Sequence, residues 1–267
     1  METQSLEFLG LRVHPVREDQ LLDFVDLAVS REGVTVIAHH NLHSLYLLPR
    51  DAGLRRLHAR ADLTYIDGMS LIPVARLYGH RLGREQRTTC VDWLPRLLRH
   101  ASARRWSVFV LGGHPEIGSL ARERLGHTLD AMQFRHRDGF FDATPGSDDN
   151  ARVLDDLHRA RPDVLLVGMG MPRQERWIVE NLDSIPARVI IAVGACLDYH
   201  AGLIPTPPRW MGRFGLEWLF RLYSEPRRLA FRYLVEPWSV AARIVADRVG
   251  PGRWARNGSG ANQRGPK

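Results

Sequence analysis

The chain has 267 residues, of which 44% are hydrophobic, so it is long enough for one large α/β domain with an appendage and too apolar for wholesale disorder. Its formal net charge is +7, and nearly all of the positive charge is arginine, because Lys267 is the single lysine. Arginine pairs with phosphates and carboxylates through a planar fork, which favours anionic partners, although an arginine-rich genome would give the same composition.

The amino-terminal stretch METQSLEFLGLRVHP carries charge and has no apolar run, so it does not predict a signal peptide. Further along, no apolar stretch approaches the ~20 residues that cross a bilayer. We therefore expect the protein to remain in the cytoplasm.

Short β-branched runs alternate with helical patterns through most of the chain. The runs are GVTVIA (33–38), ADLTYI (61–66), WSVFVLGG (106–113), the weaker AMQFRHRDG (131–139), PDVLLVGMG (162–170) and ARVIIAVGA (187–195). Helical patterns follow four of them, at 42–48, 69–78, 115–126 and 172–182. This alternation predicts an α/β fold with a Rossmann-like, mainly parallel sheet and helices on both faces. Ligands of such sheets bind beyond the carboxyl ends of the strands, where Asp67 and several glycines would meet.

Residues 204–249 differ in composition from the preceding part. Prolines at 205, 207, 208, 226 and 237 break this segment into short helices. Eight arginines and four acidic residues between 204 and 248 give a local charge of +4, and aromatic residues are interleaved with them. Basic helices with aromatic faces suit a membrane surface, and packing of the aromatics on the core is the alternative. We therefore divide the chain into an α/β core over 1–203, a small helical appendage over 204–249 and a tail over 250–267 that is expected to be disordered.

Two glycine-containing turns predict a site for a phosphorylated ligand. GGHPEI (112–117) follows a strand and opens a helix, where glycines let a phosphate approach backbone N–H groups, although it matches neither G-x-G-x-x-G nor a Walker motif. VGMGMPRQERWI (167–178) places Arg173, Gln174 and Glu175 in the first turn of a helix. Such side chains suit a sugar or a uridine diphosphate. An exposed first turn, with Glu175 favouring the helix dipole, is the alternative.

YIDGMSLIP (65–73) places Asp67 where the chain turns from strand to helix. A carboxylate at this position either caps the helix or serves as a catalytic base at the mouth of an α/β site.

Taken together, several stretches resemble the WecG/TagA/CpsF family of bacterial glycosyltransferases. They are YIDGMSLIPVARLYG, RTTCVDW, VFVLGGHPEI, DGFF, PDVLLVGMGMPRQERWI, AVGACLDYHAG and GLEWLFRLYSEPRRLAFRYL, which run in family order over roughly residues 30–235. The resemblance implies transfer of a hexose or N-acetylhexosamine from a UDP-sugar to an undecaprenyl-diphosphate-linked glycan in cell-surface or exopolysaccharide synthesis. It also implies no metal or other cofactor, and an appendage that makes the enzyme peripheral on the inner face of the cytoplasmic membrane. A homo-oligomer is left open, and no nucleic-acid partner is expected.

The resemblance further implies roles for individual residues. Asp67 corresponds to the proposed general base, which removes the proton of the acceptor hydroxyl. The implied donor-binding residues are Gly112, Gly113, Gly168, Gly170, Arg173, Gln174, Glu175 and Asp198. The candidate substrate contacts are His40, Asn41, Arg87 and Asp92. The arginines implied to hold the acceptor diphosphate or the membrane are Arg209, Arg213, Arg221, Arg227 and Arg228.

The chain departs from the family pattern at several positions. Cys90 stands where the family usually has glycine. In the family's T-x-N segment, Ala38 stands at the threonine position and His40 near the asparagine, although His40 is more often read as a structural histidine. Thr206 replaces a common arginine, for which Arg209 is expected to compensate.

Two other classes of protein fit parts of the sequence. A dinucleotide-dependent oxidoreductase would need G-x-G-x-x-G on the first turn, which instead reads AHHNL. A basic nucleotide- or nucleic-acid-binding α/β protein without transferase activity would explain the charge, but the basic excess lies largely beside aromatics and matches no recognised module. The only cysteines, Cys90 and Cys196, have no metal-binding spacing, so no metal site is predicted. The sequence does not specify the sugar.

Overall fold

A six-stranded sheet forms the centre of the protein. The computed structural model describes residues 4–126, 132–203, 205, 211 and 216–249. The sheet strands are β3 (Thr35–His40), β4 (Leu63–Ile66), β5 (Ser107–Gly112), β6 (Gln133–Arg137), β7 (Val164–Gly168) and β8 (Val189–Ala192). They lie in the order β4-β3-β8-β7-β5-β6, and every neighbouring pair is parallel. The predicted α/β fold with a mainly parallel sheet is therefore confirmed.

The helices of the core are α1 (Glu18–Val29), α2 (Leu42–Leu47), α3 (Ala52–Arg60), α4 (Leu71–Leu77), α5 (Cys90–Arg104), α6 (Ile117–Leu125), α7 (Asp148–Ala160), α8 (Arg173–Asn181) and α9 (Cys196–His200). Short 3₁₀ turns lie at Arg84–Gln86 and Leu182–Ser184. The sequence predicted α2, α4, α6 and α8 but gave no account of the others.

Both faces of the sheet are covered, which is why its strands are apolar throughout. All five residues of β7 are buried. Ile37, Val110 and Leu166 belong to a cluster that also contains buried residues of α1 and α5. Their sequence neighbours point to the opposite face, where a second cluster includes Leu57 of α3 and Trp177 of α8. Successive side chains of each strand thus point to opposite faces of the sheet and pack into two separate cores.

A small antiparallel hairpin precedes the sheet, and the sequence analysis did not predict it. It pairs β1 (Leu6–Phe8) with β2 (Leu11–Val13). Its apolar side chains belong to a third cluster, with α2 and α4.

The appendage contains α10 (Glu217–Ser224), α11 (Pro226–Leu234) and α12 (Glu236–Val249). Two of the prolines that were predicted to break this segment stand at helix starts: Pro226 is the first residue of α11, and Pro237 is the second of α12. The appendage is also fastened to the core. Glu236 accepts a hydrogen bond from His43 Nδ1 at 2.8 Å, and Arg243 donates to the carbonyl oxygen of Leu9 at 2.8 Å. None of the helices among the described residues is both long and apolar enough to cross a membrane. The predicted disorder of 250–267 concerns residues outside the described part of the chain.

Candidate active site

A cavity of about 490 Å³ opens at the carboxyl ends of β3, β4, β7 and β8. We call it the sheet cavity. The core contributes Asn41, Asp67, Gly170, Gln174 and Gly194 to its wall. The appendage closes the other side with Arg221, Leu229, Phe231, Arg232 and Tyr233. The predicted position beyond the strand ends therefore does contain a cavity, and the appendage forms part of it.

A second cavity of about 580 Å³ lies between the core and the appendage, and we call it the appendage cavity. Met69, Pro73, Trp218 and Pro237 make much of its wall apolar. The two cavities share seven wall residues: Asn41, His43, Asp67, Thr89, Arg221, Arg232 and Tyr233. Asp67 therefore lies at the boundary between them.

Backbone contacts fix the position of Asp67. It directly follows β4, its N–H donates to the carbonyl oxygen of His40 at 2.9 Å, and its own carbonyl accepts from Arg87 Nε at 3.3 Å. The Asp67 side chain accepts a hydrogen bond from Thr89. The carboxylate is thus held by the core and aimed into the space between the two cavities.

Neighbouring charges keep Asp67 ionised. Burial would raise the pKa of its carboxyl, but His39, Arg221 and Arg87, together with the Thr89 hydrogen bond, hold that pKa below its ordinary value. Burial in turn lowers the pKa of His39, which favours a neutral ring near pH 7, so the arginines remain as the permanent counter-charges.

The two arginines of the appendage at this boundary are partly buried. Arg221 stacks over the Tyr199 ring at 4.8 Å, and its Nε finds no hydrogen-bond partner in the described part of the chain. Burial and the nearby Arg221 lower the pKa of Arg232, although a guanidinium remains charged at any physiological pH. Arg221 and Arg232 flank Asp67 at this boundary, and their planar forks suit an anionic ligand.

A side pocket of about 220 Å³ adjoins the sheet cavity, with which it shares Met169, Gly170 and Ala195. Five of the predicted donor-binding residues line it: Gly113, Gly168, Gly170, Arg173 and Asp198. Asp198 Oδ1 accepts from the His114 N–H at 3.2 Å, and Arg173 donates to the carbonyl oxygens of Gly139 and Phe141 at 2.7 and 2.6 Å. Arg173 therefore holds the 139–141 loop in place as well as lining the pocket.

Glycine is needed for different structural reasons at different positions of the two predicted turns. A Cβ at Gly112 would lie 2.4 Å from the backbone of Gly168, and a Cβ at Gly168 would lie 2.8 Å from the carbonyl oxygen of Gly194. These glycines let neighbouring strand ends pack closely. Gly170 has φ +77° with open space around it and lines both the sheet cavity and the side pocket. Gly112 lines neither of the two cavities and does not line the side pocket.

Gln174 and Glu175 are adjacent in sequence but have different environments. Gln174 lines the sheet cavity, and its Oε1 accepts from the Gly194 N–H at 3.0 Å. Glu175 is 1% exposed and lines no described cavity. It accepts from Gln174 Nε2 at 2.7 Å, and burial raises its pKa to about 7. Its contact with the site is therefore through Gln174.

The two histidines of β3 also point in opposite directions. His39 lines the sheet cavity, with its Nδ1 3.0 Å from the carbonyl oxygen of Ala192. His40, the histidine that the sequence singled out, stacks on His58 with ring centroids 4.0 Å apart and lines no described cavity. Asn41 does line both large cavities, and its side chain also caps α2 by accepting from the Ser44 N–H at 3.1 Å.

The structure places the remaining predicted residues unequally. Arg87 lines the appendage cavity and donates to Glu217 of α10 at 2.6 Å. Asp92 is exposed in the first turn of α5, and Arg227 is exposed on α11. Arg209 and Arg213 lie outside the described residues, and so does the side chain of Arg228. No pattern in the sequence predicted five residues of the sheet cavity wall: His39, His43, Thr89, Tyr199 and Arg232.

Among the described residues, no group of three or more His, Cys, Asp or Glu side chains is arranged to hold a metal ion.

Comparison with known proteins gives the class to which this site belongs. The profile of the glycosyl transferase WecG/TagA/CpsF family matches residues 6–253, nearly the whole chain, and the protein belongs to that family. It is similar to the N-acetylglucosaminyldiphosphoundecaprenol N-acetyl-beta-D-mannosaminyltransferase of Staphylococcus aureus (strain MRSA252). The two are 24% identical over 196 residues, which cover 73% of this chain and 70% of the relative. The family resemblance seen in the sequence is confirmed.

Proposed function

We propose that this glycosyltransferase moves a hexose or N-acetylhexosamine from a UDP-sugar to an undecaprenyl-diphosphate-linked glycan, with Asp67 as general base. The observation that carries the proposal is the position of the Asp67 carboxylate between two cavities. Direct transfer requires a donor and an acceptor to meet at one base. The name of the staphylococcal relative, a mannosaminyltransferase with a diphosphoundecaprenol substrate, supports the lipid-linked acceptor.

The sheet cavity and the side pocket together suit the donor. The side pocket provides glycine backbone at strand ends, and Gln174 faces the adjoining sheet cavity. A uridine diphosphate that ran from one to the other would bring its sugar toward Asp67. This arrangement gives the predicted donor residues a common purpose, except Gly112 and Glu175, which act by packing and by holding Gln174.

The appendage cavity suits the acceptor. Its apolar wall lies under α10 and α12, and its inner end reaches Asp67, Arg221 and Arg232. The two guanidiniums would pair with a diphosphate, for which their planar forks are well matched. The acceptor sugar next to that diphosphate would then present its hydroxyl to Asp67.

In the proposed reaction the acceptor hydroxyl oxygen attacks the anomeric carbon of the donor, and Asp67 takes the hydroxyl proton. The bond from the anomeric carbon to UDP breaks, and UDP leaves with the bonding electron pair. Asp67 is suited to this step because its lowered pKa keeps it in the basic form at neutral pH. Arg221 and Arg232 line the sheet cavity as well as the appendage cavity, so they would also offset the charge that develops on the leaving UDP. We therefore propose that no divalent metal is needed.

The appendage presents an apolar outer face that supports docking on the cytoplasmic membrane. Tyr223 is 87% exposed, Trp238 is 77% exposed and Leu234 is 55% exposed. Arg227 lies exposed on the same group of helices. Aromatic and aliphatic side chains insert at the headgroup boundary while arginines meet anionic lipids. An undecaprenyl tail stays in the bilayer, so the enzyme would have to meet the diphosphate there, on the inner face.

The proposal is tested with a panel of UDP-sugars, each offered with a lipid-diphosphate-linked N-acetylglucosamine acceptor in anionic vesicles and analysed by mass spectrometry. We expect one or a few hexoses or N-acetylhexosamines to be added to the acceptor. Hydrolysis of the donor without a glycosylated lipid product from any panel member would contradict the proposed acceptor. Retention on DNA at physiological salt, without vesicle binding, would favour a nucleic-acid-binding protein instead.

A further inference from the structure

Both cysteines of the chain lie on one wall of the sheet cavity. Cys90 is the first residue of α5, and Cys196 is the first residue of α9. Each is buried within the protein, yet each lines the cavity, which is large enough to admit a small reagent. Neither residue has a place in the proposed reaction.

The two thiols are neighbours on that wall and interact with each other. Burial raises the pKa of the Cys90 thiol, and the interaction with Cys196 raises it further. For Cys196 burial has the same tendency, but interactions with Cys90 and His200 lower its pKa overall. The interactions with Cys90 and His200 thus favour Cys196 as the thiol that ionises, whereas burial keeps Cys90 protonated. That is the arrangement of an attacking and a resolving cysteine.

We propose that Cys90 and Cys196 form a reversible disulfide when the enzyme meets a peroxide, and that this disulfide switches off sugar transfer by distorting the sheet cavity. The loss of transfer rests on the proposed function, whereas the disulfide itself does not. Because both thiols line the same wall, a local approach of the two sulfurs would bring them to the S–S bond length of about 2.05 Å.

The chemistry proceeds in two steps. The Cys196 thiolate attacks one oxygen of the peroxide, whose O–O bond breaks, and this gives a sulfenic acid and hydroxide. The Cys90 sulfur then attacks the Cys196 sulfur, the S–S bond forms, and the sulfenic hydroxyl leaves as water with the Cys90 proton. Two thiols are thereby oxidised by two electrons, and hydrogen peroxide is reduced to two waters. A dithiol reductant reverses the bond by thiol–disulfide exchange.

The neighbours of both cysteines explain why the bond would affect the site. Thr89, which donates a hydrogen bond to Asp67, directly precedes Cys90. Gly194, whose N–H holds Gln174, lies two residues before Cys196. Drawing the two sulfurs together pulls on both segments at once. Because a misplacement of about 1 Å can cost ~10²-fold in rate, we expect transfer to fall by at least ~10-fold.

The experiment uses the reduced full-length protein, treated with hydrogen peroxide, and reads the intact mass, the linked peptides and the rate of transfer to the lipid acceptor. We expect a loss of about 2 Da, a peptide pair joined through Cys90 and Cys196, and recovery of activity with dithiothreitol. In Cys90→Ser, which lacks the resolving thiol, Cys196 should instead gain about 16 Da or more. In Cys196→Ser, Cys90 should remain unmodified at the same dose. Cys90→Ala replaces the serine variant if that variant does not fold.

Separate results overturn separate parts of the proposal. Two thiols that remain free to alkylation after peroxide treatment would overturn the disulfide. A disulfide that forms without change in transfer, or in amide exchange around residues 89–92 and 194–198, would overturn the switch. If the reduced protein transfers no sugar at all, the proposed function fails, and the peptide masses and amide exchange still decide whether the disulfide forms and distorts the cavity.

Discussion

Glu175→Gln is expected to stabilise the folded protein at alkaline pH with little effect at acid pH. Burial raises the pKa of this carboxyl from 4.5 to about 7. One of its oxygens, Oε2, finds no hydrogen-bond partner in the described part of the chain. Ionising the group in the folded protein is therefore unfavourable, and an amide of the same shape removes the charge while it can still accept from Gln174.

The sign and size of the effect follow from the two protonation equilibria. Below pH 4.5 the carboxyl is protonated in both states, so it costs the folded state nothing. Between 4.5 and about 7 the unfolded chain loses the proton first, and the free energy of unfolding falls as the pH rises. Each pKa unit corresponds to ~1.4 kcal/mol, so the full cost above neutral pH is about 3 kcal/mol. That is a large share of the roughly 5–15 kcal/mol that stabilises a typical protein.

The assay is urea unfolding followed by tryptophan fluorescence at several pH values. The free energy of unfolding of the variant minus that of the wild type should grow by about 2 to 3 kcal/mol as the pH rises from about 5 to about 8.5. Glu180→Gln, on the same helix but partly exposed beside Arg56, is the matched control. Its free energy of unfolding should depend on pH in the same way as that of the wild type. If the free energy of unfolding depended on pH in the same way for Glu175→Gln and the wild type, Glu175 would be ionised in the folded protein at no cost. That result would refute the reasoning.

Three further outcomes are expected. Arg221→Lys and Arg232→Lys keep the charge but lose the planar fork at the cavity boundary, so the transfer rate should fall by ~10²-fold. The control is Arg227→Lys, at an exposed position, which should have nearly the wild-type rate in steady-state kinetics. Transfer should continue in excess EDTA without added metal, and abolition by EDTA with recovery on adding Mg²⁺ or Mn²⁺ would contradict metal independence. Trp238→Ser should weaken sedimentation with anionic vesicles by several-fold, since it removes an exposed interfacial aromatic, whereas Leu27→Ser, an exposed apolar position on α1, should not.

The attachment of the appendage decides how the membrane role should be tested. Leu229 and Val240 are buried, and the partly buried His43 pairs with the buried Glu236 across the junction. Deleting everything after residue 203 would uncover these contacts and remove part of both cavities. Surface substitutions such as Trp238→Ser leave those contacts in place, so they separate membrane binding from folding.

The sheet and the position of the site could be predicted because strongly periodic features determine them. Apolar runs such as PDVLLVGMG read as buried parallel strands whatever surrounds them. In such a sheet the residue after each strand falls at the same edge. Asp67 and Gly170 could therefore be placed in the site without knowing how any side chain packs.

The directions of adjacent side chains could not be predicted in the same way. Successive residues of a strand point to opposite faces, but both faces of β3 are buried, so polarity did not reveal whether His39 or His40 lines the cavity. Gln174 and Glu175 pose the same problem on a helix, where neighbours point about 100° apart. A buried carboxylate like Glu175 is rare enough that a sequence reading favours an exposed position.

Arg232 was missed for a different reason. The appendage contains many arginines, and which of them turns inward depends on how α11 docks against the core. That docking is set by long-range contacts such as His43 with Glu236 and Arg87 with Glu217, which leave no local pattern in the sequence.

The most direct test of the central claim is the transfer rate of Asp67→Asn with a UDP-sugar donor and a lipid-diphosphate acceptor. Asparagine keeps the shape and removes the basic group at the boundary of the two cavities. The account predicts a fall of ~10²–10⁴-fold in the transfer rate, the range for losing general base catalysis, with donor affinity by calorimetry little changed. Transfer near the wild-type rate in a folded Asp67→Asn protein would contradict it.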